Sequence, residues 1–86
     1  MTIAIDPARI AQLLRQDAME AMSTAEGHLT LDFSAVTKID SAGVQALEQL
    51  AASAESRSVQ LVLHGVSVQL YKVLRLLNLT RRFALN

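Results

Sequence analysis

The sequence predicts an α/β fold, with a small, mostly parallel or mixed sheet and three to four helices packed on it. Short β-prone segments alternate along the chain with segments whose apolar residues recur at helical spacing. This alternation is typical of βαβ units with right-handed crossovers. Because no repeat, low-complexity tract or linker divides the chain, we expect one domain over residues 1–86.

The first strand is predicted at 2–5 and the first helix directly after it. Asp6 is a good N-cap, and Pro7 suits the first helical position. We expect this helix to continue to about Met22 and Gly27 to form the following turn. Its inward face is predicted to carry Ile10, Leu13, Leu14, Ala18 and Ala21.

The second strand is predicted at 28–33, where apolar and polar residues alternate with period two. A polar connection then leads to the segment 40–43, Asp-Ser-Ala-Gly. The apolar residues after it recur at three and four positions, which predicts a second helix to about Arg57. Its predicted core residues are Val44, Leu47, Leu50, Ala51 and Ala54.

The third strand is predicted at 59–63, and its continuous apolar character favours a strand that is covered on both faces. Ser67 is positioned to cap a third helix that ends near Asn78. Residues 80–85 are expected to form a short strand or an extended tail. The buried stripe of the third helix is predicted to be Leu70, Val73, Leu74 and Leu77.

Composition excludes several classes of function. Hydrophobic residues make up 51% of the chain, and eight basic residues balance eight acidic ones. With three aromatic residues in all, the chain offers few platforms for stacking nucleic-acid bases, so nucleic-acid binding is not expected. The absence of cysteine excludes disulfides and thiolate zinc sites. Neither His28 nor His64 belongs to a metal-ligand motif, so we expect no metal and no cofactor.

The chain is also expected to be cytoplasmic. No apolar stretch approaches the roughly 20 residues that span a bilayer, and residues 1–6 lack the basic start and apolar run of a signal peptide. Direct insertion into a membrane is therefore not expected.

Residues 29–47 resemble the signature region of STAS domains, a family that includes the bacterial anti-sigma-factor antagonists. The shared pattern is an apolar strand, the pair Asp32-Phe33, a short loop, and then Asp-Ser-small-Gly at the start of an amphipathic helix. The likeness continues to Phe83 and so covers about two-thirds of the chain. It implies a non-enzymatic module that regulates another protein by binding it.

The sequence departs from the family pattern at two places. STAS domains usually have two strands before the first helix, whereas one is predicted here, which would leave a free sheet edge. In the anti-sigma-factor antagonists, the phosphate acceptor directly precedes the glycine. Here that position is Ala42, which has no hydroxyl. The Asp-Ser-Ala-Gly arrangement looks more like STAS proteins that serve as small subunits of lipid-transport ABC complexes.

The resemblance therefore implies two classes of partner, an anti-sigma kinase or other signalling protein, and alternatively a transporter ATPase. A second copy of this chain, forming a homo-oligomer, is a further alternative. The residues predicted to bind the partner are Thr37, Lys38, Asp40, Ser41, Ala42, Gly43, Gln45 and Glu48.

Ser41 and its neighbours allow more than one interpretation. Asp40 or Ser41 is expected to cap the helix. Ser41 is also a candidate contact residue and a weaker candidate for phosphorylation, because Asp40 would repel the phosphate. Gly43 is expected to permit close approach to a neighbour or a partner. Because Ser41 lies outside a G-x-S-x-G elbow and adjoins its aspartate, a catalytic triad with His64 is not expected.

A cluster of basic residues lies near the C-terminus. Such a cluster is usually a solvated face, and a membrane or an acidic partner is the alternative. Its members are Lys72, Arg75, Arg81 and Arg82.

Overall fold

The computed structural model describes residues 2–85 and has the predicted α/β architecture. Its four strands are β1 (Thr2–Ala4), β2 (His28–Asp32), β3 (Gln60–His64) and β4 (Ala84–Leu85). They form one parallel sheet in the order β1-β2-β3-β4. The helices are α1 (Ile10–Arg15), α2 (Asp17–Met22), α3 (Ser41–Ser56) and α4 (Val68–Leu76).

All four helices cover the same face of the sheet. Each strand lies beside the preceding one, always on the same side, so right-handed crossovers bring every helix to one face. On this covered face, Leu29 is in register with Leu61 and Leu31 with Leu63, and all four side chains are buried. Full burial of one leucine contributes about 1.5–3 kcal/mol. The centre of the core therefore lies between β2, β3 and the helices.

The other face of the sheet is open. There, Thr30 and Val62 are half-buried, and His64 is exposed beside its register partner Asp32. The prediction that β3 is covered on both faces is therefore wrong. An apolar run such as 59–63 does not reveal on which side the helices lie, because the strand order decides it.

The first helix begins later than the sequence predicts. Asp6 does not cap it, because its Oδ1 accepts from the Ala8 N–H at 2.9 Å and closes a separate turn. The helix starts at Ile10 and is divided at Gln16, where the backbone angles are φ −107° and ψ −73°. Hydrogen bonds from Gln16 N to Gln12 O and from Glu20 N to Gln16 O, both 2.9 Å, still connect the two parts.

The last helix ends before Leu77, which the sequence places in the buried stripe. Leu77 is 47% exposed because α4 stops at Leu76 and Asn78 adopts a left-handed conformation with φ 59°. The Leu79 N–H then donates to Leu74 O at 2.8 Å, and the Leu79 side chain is buried instead. Leu70 and Leu74 are buried as predicted, and Val73 is half-buried.

The N-terminal edge of the sheet is short. Within residues 2–85, β1 is the one strand before α1, and it pairs with β2 alone. This agrees with the shortened N-terminal strand region that the sequence predicts.

Candidate functional site

The Asp40 loop lies at the carboxyl edge of the sheet, where β2 leads into α3. Asp40 is extended, with φ −92° and ψ 177°, and is the N-cap of α3. Its Oδ1 accepts from the Gly43 N–H at 2.8 Å, so Asp40 and not Ser41 caps the helix. An N-cap of this kind typically contributes about 1 kcal/mol. Ser41 and Ala42 are exposed at the first turn.

Gly43 is required by a contact within the loop itself. The residue is buried, and a Cβ placed on it would lie 2.7 Å from Cγ1 and 3.1 Å from Cδ1 of Ile39. Because real Cβ atoms essentially never approach so closely, any side chain here would displace Ile39. The close approach expected at this glycine is therefore to Ile39 of the same chain. Together, the Ile39 contact and the Asp40 cap fix the start of α3.

The segment between β2 and Asp40 is anchored by buried side chains and by hydrogen bonds at its start. The side chains of Phe33 and Val36 are buried in the core. The Phe33 N–H donates to His64 O at 2.8 Å, and the Ser34 N–H donates to Asp32 Oδ1 at 2.9 Å. Hydrogen bonds from Ser34 hold the pKa of Asp32 below its ordinary value, and His64 adds a smaller favourable charge interaction. The loop is therefore held to the sheet.

The loop after β3 packs against the same segment. Gly65 has φ +72°, and a Cβ on it would lie 2.8 Å from Cβ and 2.9 Å from Cα of Ser34. Further on, the Ser67 hydroxyl donates to Thr37 O at 3.3 Å and accepts from the Leu70 N–H at 3.1 Å. Ser67 therefore caps α4, as predicted, and joins its start to the loop before α3.

Most residues predicted to bind a partner reach the solvent in this region. On α3, Ser41, Gln45 and Glu48 follow one another at spacings of four and three, which places them on one face of the helix. Leu47 and Leu50 are buried, as expected of core residues, and Gly43 is the one buried member of the predicted set. The exposed members of the set are Thr37, Lys38, Asp40, Ser41, Ala42, Gln45 and Glu48.

The site includes a recess that the sequence did not reveal. A cavity of about 230 Å³ lies between Asp40 and the turn that leads from β1 into α1. The carboxyl ends of neighbouring parallel strands meet at one edge of a sheet. A predicted pairing of β1 with β2 would therefore have indicated that the turn after β1 lies beside the Asp40 loop. The recess is lined by Pro7, Ala8, Arg9, Ile10, Ala11, Gln12 and Asp40.

His64 is not arranged with Ser41 in the manner of a triad. The His64 side chain lies on the open face beside Asp32, whereas Ser41 begins a helix that covers the other face. Among residues 2–85, no three His, Cys, Asp or Glu side chains form a group that could hold a metal ion. Over the same residues, no helix is long and apolar enough to cross a membrane.

Comparisons with known proteins agree with this fold. The family model described as "Mlab, STAS domain" matches residues 4–85. A solved structure, that of a sulfate transporter family protein from Wolinella succinogenes, is similar with a TM-score of 0.80 and 24% sequence identity. The similarity covers 98% of this chain and 74% of that one. No curated protein matches. Because the family model extends over almost the whole chain, this protein belongs to the STAS domain family.

Proposed function

We propose that this chain is a non-catalytic subunit that binds another protein through the start of α3. STAS domains are generally interaction modules without enzymatic activity. The observation that carries the proposal is the exposure of Ser41 and Ala42 on a helix start that Asp40 and Ile39 hold in place. A pre-ordered surface loses little conformational entropy when it binds. We call the exposed residues of this region the α3 surface: Thr37, Lys38, Asp40, Ser41, Ala42, Gln45 and Glu48.

The partner that fits best is the ATPase subunit of a lipid-transport ABC complex. Ala42 stands where anti-sigma-factor antagonists carry the phosphate acceptor, so the usual switch cannot operate at that position. A subunit that stays bound does not need such a switch. The Asp-Ser-Ala-Gly sequence and the match to the Mlab-type family model support the same assignment.

Signalling by an anti-sigma kinase or a related protein is the second candidate. It is favoured by the exposed Ser41, because a helix N-terminus stabilises a phosphate through its free N–H groups and dipole. The Asp40 carboxylate disfavours phosphorylation of Ser41, because this carboxylate already accepts the Gly43 N–H and would repel the phosphate. The ATPase is therefore the first choice.

Quantitative co-purification from the native host tests the proposal. The tagged chain would be compared with Ser41→Arg and with the double variant Gln45→Arg, Glu48→Arg. We expect the wild type to retain an ATPase subunit in near-stoichiometric amount, and each variant to lose most of it. Circular dichroism would verify that the variants fold, as expected for exposed positions.

Gln60→Arg is the matched control. Gln60 is exposed at the first residue of β3, at the sheet edge opposite to the α3 surface, so this variant is expected to keep the partner. Full retention by the α3 variants would refute the α3 surface. Recovery of a kinase-like or other signalling protein, sensitive to Ser41→Arg, would replace the ATPase by the second candidate.

A further inference from the structure

The exposed side of α4 is unusually apolar. Val68 is 70% exposed, Tyr71 40% and Leu76 84%, although the helix already buries Leu70 and Leu74 in the core. Apolar side chains gathered on one exposed surface often mark an interaction site. We call this surface the α4 outer face, and its residues are Val68, Tyr71, Lys72, Arg75 and Leu76.

The part of the chain that contains α4 carries only basic charges. Residues 57–85 contain five basic and no acidic residues, whereas residues 2–56 contain three basic and eight acidic residues. The two parts therefore carry formal charges of +5 and −5, and their sum agrees with the neutral total. Within residues 2–85, the ion pairs join Arg9 to Asp6 and Arg82 to Glu55, so Lys72 and Arg75 stay free.

The basic residues also frame a recess. Lys72, Arg75 and Leu76 line a hollow of about 430 Å³ on the outside of the helix. The two cations are three residues apart, and Val68, Lys72 and Leu76 follow one another at spacings of four along the helix. The surface thus combines an apolar stripe with two positive charges over a helix of nine residues, about 14 Å long.

We propose that the α4 outer face binds an amphipathic, acidic helix of a protein partner. Such a helix would place leucine-like side chains against Val68 and Leu76, and Asp or Glu side chains against Lys72 and Arg75. A recess with two flanking cations fits a protruding protein side chain better than a flat lipid surface. The inference rests on α4 alone and does not depend on the proposed function.

A peptide titration tests this inference. The probe is a fluorescein-labelled synthetic helix of about four turns, with leucine on one side and glutamate beside it. The comparison peptide has lysine at every glutamate position. We expect the acidic peptide to bind and to shift the backbone amide signals of residues 68–77 in NMR spectra. The basic peptide should bind at least about tenfold more weakly, a difference of 1.4 kcal/mol.

Variants then assign the binding to α4. Lys72→Glu combined with Arg75→Glu, and separately Leu76→Ser, should each weaken the acidic peptide at least about tenfold. Arg15→Glu combined with Arg57→Glu makes the same change in net charge at other exposed positions and should have little effect. Ser41→Arg should leave peptide binding unchanged, so failure of the α3 proposal and failure of this one are distinguishable.

Three outcomes would overturn the inference. The first is equal binding of the acidic and basic peptides, and the second is equal loss in the control variant. The third is that the peptide does not bind up to about 1 mM, whereas vesicles of phosphatidylcholine and phosphatidylglycerol bind the chain. In that case, the α4 substitutions would also abolish vesicle binding. This last result would make the α4 outer face a lipid-binding surface.

Discussion

Helices α3 and α4 are capped alike at their start but are buried to different extents. Each follows a strand, and each has an extended N-cap whose side chain accepts the N–H three residues later, at 2.8 Å for Asp40 and 3.1 Å for Ser67. Beyond the caps they differ. The buried residues of α4 are Leu70 and Leu74. Those of α3 are Gly43, Ala46, Leu47, Leu50, Ala51 and Ala54.

The difference follows from the position of each helix in the layer. α3 packs against the sheet and against α1, and its small residues allow that close approach. α4 crosses from β3 to the edge strand β4 and buries only the stripe that faces the sheet. Capping therefore determines where a helix begins, while its neighbours determine how much of it remains free for a partner.

The largest expected effect compares a buried leucine of α3 with an exposed leucine of α4. Leu50→Ala should lower the free energy of unfolding by about 2–5 kcal/mol, because Leu50 is fully buried and the substitution leaves a cavity. Leu76→Ala removes an equally large side chain that is 84% exposed, and should change stability by no more than about 0.5 kcal/mol. Urea unfolding followed by circular dichroism measures both. Similar losses would show that α4 is packed more extensively than described.

A second, smaller effect concerns the start of α3. Gly43→Ala should destabilise the protein by about 1–3 kcal/mol, since the new Cβ would overlap Ile39. This outcome is opposite to the gain of up to ~1 kcal/mol that alanine normally brings to a helix interior.

The Ile39 contact can be tested by a double-mutant cycle. In an Ile39→Ala background, Gly43→Ala should cost less or become stabilising, with a coupling energy of about 0.5–3 kcal/mol. Gln45→Ala, on the exposed side of the same helix, serves as the control. Additive effects of the two substitutions would rule out the contact as the reason for glycine at residue 43.

The caps themselves are expected to contribute less. Asp40→Ala and Ser67→Ala should each lower the free energy of unfolding by about 0.5–2 kcal/mol, because each leaves an N–H of the first turn without its partner. Asp40→Asn keeps an oxygen acceptor and should retain most of the stability. Thermal and urea unfolding measure these changes. A loss in Asp40→Asn as large as in Asp40→Ala would mean that charge, and not the cap bond, stabilises the loop.

The local features of the fold could be predicted from the sequence. The alternation of apolar residues predicted β2, and the Asp-Ser-Ala-Gly segment predicted the start of α3 with Asp40 or Ser41 as its cap, because these features depend on neighbours within a few residues. Asp6 shows the limit of this reasoning. Its sequence context with Pro7 suits a helix cap, yet its side chain closes a turn, since nothing local distinguishes the two hydrogen bonds.

Features that depend on strand order could not be predicted. The run 59–63 is equally apolar whether one or two faces of β3 are covered, and only the order β1-β2-β3-β4 leaves one face open. The recess beside Asp40 likewise exists because β1 lies next to β2. For Gly43, the sequence indicated a close approach, but the partner of that contact, Ile39, depends on how its side chain lies over the helix.

The smallest expected effect concerns the far end of α3, where Arg82 Nε donates to Glu55 Oε1 at 2.9 Å. This hydrogen bond holds the pKa of the Glu55 carboxyl below its ordinary value of 4.5. The pair therefore stabilises the fold above that pH, and its contribution disappears as the pH falls through the lowered pKa. Glu55→Gln should slightly lower the melting temperature at pH 7, with the difference from wild type shrinking in 1 M salt and vanishing at low pH. Since both side chains are partly exposed, a difference that persists under these conditions would show that Glu55 acts through packing and not through its charge.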